Sequence, residues 1–232
     1  ASGAAHAKGA LVYIDNTFCT PIYQNPLELG ADFVMHTASK YLGGHSDIIG
    51  GSLTVKDPEL GKRVRTIREQ IGSIIGPMEG WLMMRGLRTL EVRVKEHGKT
   101  ALAVAQYLEQ HPKVKKVYYT GLASHPQHEL IEKQQSGHTG LLSFELDSTT
   151  QEAKEFCQAL RIFKIGVSWG GFESLVMMPY ERADEETCKK MGDGQNVLRI
   201  HCGLEGTENL IEDMAPAFQQ VFRLRGAEMT LI

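Results

Sequence analysis

Between Asp32 and Gly51 the chain reads D-F-V-M-H-T-A-S-K-Y-L-G-G-H-S-D-I-I-G-G, and no other stretch restricts the fold as much. A short apolar run, Phe33 to Met35, predicts a buried strand that delivers Thr37, Ser39 and then Lys40 into a loop closed by Gly43 and Gly44. Lysines ordinarily occupy a solvated face, so a surface lysine in a glycine loop is the plain alternative. A second apolar run, Leu11 to Ile14, argues otherwise: it ends in Asp15-Asn16-Thr17, so a carboxylate and a lysine each emerge at the end of a buried strand. In an open α/β sheet such strand ends line one crevice, where ligands bind.

The pairing of D-N-T-F with a hydroxyl-Ala-hydroxyl-Lys-Tyr-Leu-x-Gly-His-x-Asp signature resembles the pyridoxal-phosphate enzymes of cysteine and methionine metabolism, the cystathionine β- and γ-lyases, cystathionine γ-synthases and methionine γ-lyases among them. The resemblance implies a fold-type-I α/β architecture, pyridoxal 5'-phosphate as cofactor, Lys40 carrying it as a Schiff base, Asp15 facing the pyridine nitrogen, and Thr37 and Ser39 holding the phosphate. Many relatives have Ser then Thr at the last two positions; the exchange here preserves the donors. A turn-forming role for Asp15 and local hydrogen bonding by Thr37 and Ser39 are the plainer alternatives for each residue taken alone.

Composition narrows the rest. With 42% apolar and 23% charged residues the chain has the balance of a soluble globular protein, and its apolar runs are too short for a bilayer-spanning helix. The formal net charge is −3 and no stretch concentrates lysine and arginine with aromatics, so neither nucleic acid nor a membrane is expected as partner. Cys19, Cys157, Cys188 and Cys202 are scattered without a C-x-x-C pair, which fits reduced thiols in a cytoplasmic protein. His125 and His128 in H-P-Q-H are a weak ligand pair, and no metal site is expected.

Along the chain, Ala10 to Ile14 is apolar throughout, as in a parallel strand covered on both faces. Asn25 to Gly30 reads as a short helix, and the alternation over Ser52 to Lys56 predicts a strand with one face buried. A helix is predicted from Pro77 to about Gln110, with Leu87, Leu90, Val94, Ala101, Ala105 and Leu108 on one stripe. At 1.5 Å per residue it would span about 51 Å, a linker between domains; two helices broken at Gly98 are the alternative. The expected organisation is therefore the C-terminal part of a cofactor-binding large domain over 1–76, a linking helix over 77–111 and a small C-terminal α/β domain over 112–232. In the last, strands are predicted at Val114 to Tyr119, around Leu142, Phe144 and Leu146, and at Val197 to Cys202. Thr149-Thr150-Gln151-Glu152 should cap a helix, and Asn209 to Arg223 should form one bent at Pro216.

The resemblance continues in this second part. Val167 to Ser174 is similar to the family's substrate loop: Ser168 matches the serine that helps hold the substrate carboxylate, and Trp169 in Ser-Trp-Gly-Gly is most similar to the β-lyases. Met177-Met178-Pro179-Tyr180 departs from the pattern of γ-acting members. Leu198 to Glu205 is similar to the strand bearing the family's carboxylate-binding arginine, here Arg199. A guanidinium fork suits a carboxylate, and strand alternation sets Arg199 opposite to Leu198, Ile200 and Cys202.

The function implied is β-elimination from cystathionine or a cysteine thioether, with γ-elimination or γ-replacement as the alternative and a homo-oligomer, a dimer of dimers, as the assembly. Relatives carry further sequence before the Asp15 strand, from which they draw a glycine-containing phosphate loop and an aromatic that stacks on the cofactor ring. From that comparison the 232-residue chain alone is expected to lack lyase activity, and a non-catalytic part needing a complementing chain is the rival from another class.

Overall fold

The computed structural model describes residues 2–191 and 194–223. The elements begin α1 (Ser2–His6), β1 (Tyr13–Asp15), α2 (Thr20–Tyr23), β2 (Phe33–Thr37), a π-helical turn (Ala38–Leu42), β3 (Gly51–Val55), α3 (Pro58–Ile71), α4 (Pro77–Leu87) and α5 (Leu90–Glu109). They continue with β4 (Val114–Tyr118), α6 (His128–Gln134), β5 (Leu141–Leu146), α7 (Thr150–Ala159), β6 (Lys164–Ile165), β7 (Leu175–Met177), α8 (Glu185–Met191), β8 (Val197–His201) and α9 (Thr207–Arg223). Two compact units result. The first holds the residues up to Val94 with Glu129–His138, the second Lys95–His128 and the described residues from Thr139 onward.

In the first unit β1 pairs parallel with β2, and β3 runs antiparallel on the other side of β2. Cross-strand partners project to the same side of a sheet. Tyr13, Asp15, Phe33, Met35 and Thr37 therefore share one face, while Val34 and His36 on the opposite face are buried. The expectation of a sheet covered on both faces is corrected: Tyr13 is 55% and Leu53 43% exposed. The strand predicted at Ser52 to Lys56 is β3, but its residues stay largely open instead of burying one face. Asn25 to Gly30 forms successive turns, with Glu28 N donating to Asn25 O and Leu29 N to Pro26 O, and no helix.

Helix α3 has no counterpart among the sequence expectations, although its signals are local. Asp57 accepts from Leu60 N at 2.8 Å, Pro58 fills the first turn, and Gly72 ends the helix in the left-handed region at φ 72°. The single helix predicted from Pro77 is two, parted at Arg88 and Thr89 and not at Gly98, which lies within α5. Thr89 is the cause. Its N–H and its hydroxyl both donate to Gly86 O, and its own carbonyl accepts from Arg93 N to restart the helix.

The second unit is a five-stranded sheet in the order β4-β5-β8-β7-β6, antiparallel except for β6 and β7. Its core joins Val104, Ala105 and Leu108 of α5, Phe144 and Leu146 of β5, Phe156 of α7, Leu198 and Ile200 of β8, and Leu210, Met214 and Phe218 of α9. At roughly 1.5–3 kcal/mol for each such side chain removed from water, this cluster is the main source of the unit's stability. Thr149 and Glu152 form the predicted capping box, and α9 runs through Pro216. Asp213, 7% exposed, accepts from the backbone N–H groups of Arg161, Ile162 and Phe163, which ties α9 to the chain leaving α7.

Candidate functional site

Of the residues singled out in the first unit, Asp15 and Thr37 stand at the carboxyl ends of parallel neighbours, on the open face of the sheet. Asp15 Oδ1 accepts from Thr17 N at 2.9 Å and from Thr17 Oγ1 at 2.5 Å. Thr17 Oγ1 in turn accepts from Thr37 N at 2.8 Å, so one buried threonine laces the two strand ends together. Asp15 Oδ2 has no hydrogen-bond donor among the described residues. Beneath them Asn16, 2% exposed, donates to Thr20 O and Gln24 O and lies 3.1 Å from His36 Nε2. Burial holds His36 below the ordinary imidazole range, with the charge of Asp15 pulling the other way.

Lys40 lies in the π-helical turn, which its own backbone interrupts at φ −99° and ψ −131°. Gly43 N donates to Ala38 O and Gly44 N to Lys40 O, both at 2.8 Å. Ser39 Oγ accepts a 3.4 Å bond from Gly50 N, and among the described residues Thr37 Oγ1 meets only Met35 Sδ, at 3.7 Å. Lys40, Ser39 and Thr37 are all half-buried. Glycine is required in this loop. Gly44 has φ +71°, and a Cβ there would fall 1.9 Å from Arg93 Nη1; a Cβ on Gly86 of α4 would fall 2.3 Å from Gly43 O. Sequence reasoning missed Thr17 and Arg93; the D-N-T triplet carried a signal for the first, and nothing local did for the second.

In the second unit Arg199 projects from β8 on the side opposite to Leu198 and Ile200, as alternation predicts. Its Nη2 donates to the carbonyls of Val167 and Ser168, so the arginine and the loop bearing Ser168 and Trp169 are in direct contact. Burial lowers the Arg199 pKa. The same loop is braced further along: His201 Nε2 lies 3.0 Å from Gly171 O, Leu204 N donates to Phe172 O, and Glu205 accepts from both Ser174 N and Ser174 Oγ at 2.7 Å. Among the described residues no three His, Cys, Asp or Glu side chains group as a metal site, and His128 is the first residue of α6. No described helix is long and apolar enough to cross a membrane.

His201 packs against His97 with ring centroids 5.0 Å apart, and both are fully buried. Burial, then the neighbouring His97, pushes the His201 pKa down to about 3. The unfolded chain regains an ordinary imidazole, so it binds a proton first as pH falls. Stability is complete above the unfolded value near 6.5 and is lost between there and about 3, at roughly 1.4 kcal/mol per pH unit. Urea unfolding of the wild type and His201→Gln at pH 7 and pH 5 measures it. The variant's loss across that interval should be smaller than the wild type's by about 2 kcal/mol; equal losses would show that His201 is not the group being protonated.

The four cysteines are free and buried. Burial pushes the Cys19 thiol up to about 11 and the Cys157 thiol to about 12, and raises Cys202 further.

Residues 1–219 match the family described as Cys/Met metabolism PLP-dependent enzymes. The chain is 40% identical over 223 residues to cystathionine beta-lyase of Lactococcus lactis subsp. cremoris (strain MG1363), covering 94% of this chain and 58% of that protein. It is 41% identical over 219 residues to cystathionine gamma-lyase of Homo sapiens, covering 92% and 54%. Among solved structures, cystathionine gamma synthase from Xanthomonas oryzae pv. oryzae in complex with aminoacrylate and cysteine superposes with a TM-score of 0.90 at 37% identity, over 94% of this chain and 58% of that one. The chain thus spans little more than half the length of the relatives it matches.

Proposed function

Because this chain belongs to the Cys/Met metabolism PLP-dependent enzyme family, we propose that it acts in a pyridoxal-phosphate-dependent carbon–sulfur lyase, splitting cystathionine or a cysteine thioether by β-elimination. One observation carries the reading: the unbonded Oδ2 of Asp15 and the hydroxyl of Thr37 lie on the same open sheet face, with Lys40 three residues beyond. The donor chemistry fits pyridoxal phosphate. Asp15 Oδ2 would accept a ring N–H, Thr37 and Ser39 hold hydroxyls with little else to bond, and Lys40 brings a primary amine.

Pyridoxal phosphate, when bound, supplies an electron sink for the substrate's α-carbon. Asp15 would favour a positive ring nitrogen, since opposite charges about 4 Å apart gain about 4 kcal/mol at an effective dielectric of 20. The Lys40 amine would take the proton from Cα at its Nζ and deliver it to the departing sulfur. Arg199 carries paired N–H groups that suit a substrate carboxylate, and Ser168 would assist. With one water consumed, a thioether yields a thiol, pyruvate and ammonia. Trp169 and the Met177 to Tyr180 segment favour β- over γ-chemistry, and release of pyruvate and not 2-oxobutyrate is the distinguishing measurement.

Arg199→Lys is expected to lower kcat/KM for cystathionine by about 10- to 100-fold, because one ammonium cannot reproduce a fork that also holds the Val167 and Ser168 carbonyls. Steady-state kinetics of the chain joined to the sequence that relatives carry before the Asp15 strand tests it, and an unchanged specificity constant would move the carboxylate site elsewhere. For its setting we infer a reducing cytoplasm, supported by four unpaired thiols, and a homo-oligomer, supported by exposed Ile67, Ile71, Met78, Trp81 and Met84 along α3 and α4.

A further inference from the structure

Arg93 is a buried cation that neither the cofactor nor the substrate role requires. It lies on α5 with 5% exposure, and among the described residues its three bonds all go to neutral oxygens: Nε to Thr89 Oγ1 at 3.0 Å, Nη1 to Tyr41 O at 2.9 Å and Nη2 to Gly86 O at 2.8 Å. A guanidinium withdrawn from water without a carboxylate is costly, and a structural site would ordinarily supply one. This one is spent on the carbonyl next to Lys40.

The surroundings show how closely that carbonyl is held. The peptide carbonyl of Lys40 accepts from Gly44 N, and the carbonyl of Tyr41 accepts from Arg93, so the two carbonyls following the Lys40 side chain are both fixed. Gly44 leaves the space in which the guanidinium sits, and Gly86 lets the α4 backbone come within reach of Leu42 and Gly43. Tyr41 is itself fully buried and cannot swing to compensate. Arg93 thereby bridges the turn that carries Lys40 to the C-terminal end of α4, with Thr89 holding the guanidinium in plane.

We propose that Arg93 is a positioning residue, a latch that fixes the backbone of the Lys40 turn and so the direction in which the Lys40 amine emerges. The inference rests on the reading of Lys40 as the cofactor lysine and adds a residue to it that touches neither cofactor nor substrate. A charged donor suits the task because bonds from charged groups hold more tightly than neutral ones, at about 1.5–3 kcal/mol, a factor of about tenfold or more in local opening.

The test is peptide-resolved amide hydrogen exchange on the 232-residue chain as wild type, Arg93→Gln, Arg93→Lys and Gly44→Ala. It runs beside trapping of lysines by pyridoxal phosphate and borohydride, with Lys40 counted against exposed Lys62 in the same digest. Exchange over residues 41–44 should quicken about tenfold in Arg93→Gln and Gly44→Ala and less in Arg93→Lys, with the second unit's sheet unchanged. The Lys40 to Lys62 trapping ratio should fall about tenfold in Arg93→Gln and recover in part in Arg93→Lys. If Arg93→Gln does not fold, Arg93→Lys and Gly44→Ala supply both readouts. Unchanged exchange over 41–44 in folded variants overturns the latch, and faster exchange with an unchanged trapping ratio confines Arg93 to stability and overturns the positioning role. A wild type that traps Lys40 no better than Lys62 overturns the reading of Lys40 instead, and the exchange data then decide the latch alone.

Discussion

Lys40→Ala is expected to abolish covalent capture of pyridoxal phosphate, and with it at least about three orders of magnitude of any lyase turnover. The expected effect is large because, on the proposed reading, Lys40 would hold two roles at one atom: its Nζ would be the attachment point and, once displaced by substrate, the base. The substitution leaves the fold of the turn intact. The Gly44 N–H bonds to the Lys40 backbone carbonyl and Arg93 to the Tyr41 carbonyl, neither of which depends on the side chain. Borohydride reduction, digestion and peptide mapping measure it directly. A phosphopyridoxyl adduct on another lysine in the wild type, or capture that survives in the variant, would refute the assignment.

Asp15→Asn should cost turnover by up to about three orders of magnitude while leaving the melting temperature within a few degrees, the rate effect following from about 4 kcal/mol of lost charge pairing. The asymmetry comes from the way the carboxylate is used. Both Thr17 donors fall on Oδ1, and an asparagine carbonyl can accept both, so the lacing of β1 to β2 through Thr17 and Thr37 persists. The amide NH2 would then take the place of Oδ2 and would offer the proposed ring N–H a second donor in place of an acceptor. Turnover of a cysteine thioether by the chain joined to the sequence that relatives carry before the Asp15 strand, measured beside thermal unfolding, separates the two effects. Wild-type turnover in the variant would remove Asp15 from the cofactor site, and a large fall in melting temperature would make its role structural.

Where bonds are local, the sequence was readable. The Lys40 loop, the D-N-T strand end, the capping box at Thr149 and the outward direction of Arg199 each depend on neighbours a few residues away. The start of α3 was equally local, written in Asp57-Pro58 and Gly72 directly after the strand predicted over Ser52 to Lys56. The break between α4 and α5 was of another kind. An unbroken apolar stripe continues across it, and it arises where Thr89 and Arg93 turn their donors onto Gly86 and, 52 residues back, Tyr41. On a helical wheel Arg93 is one more charged residue, and no periodicity reveals that its charge is buried. Exposure of the Asp15 face escaped for a similar reason, since a run of apolar residues says that a surface can be covered without saying by what.

The four buried thiols give the molecule an internal clock. Because the thiolate is the reactive form, a shielded cysteine reacts slowly until its surroundings open, and for Cys19, Cys157 and Cys202 burial also raises the thiol pKa. Cys19 belongs to the first unit and Cys157, Cys188 and Cys202 to the second. The pace at which a thiol reagent consumes each one therefore times the breathing of its own unit, with no label added to the chain.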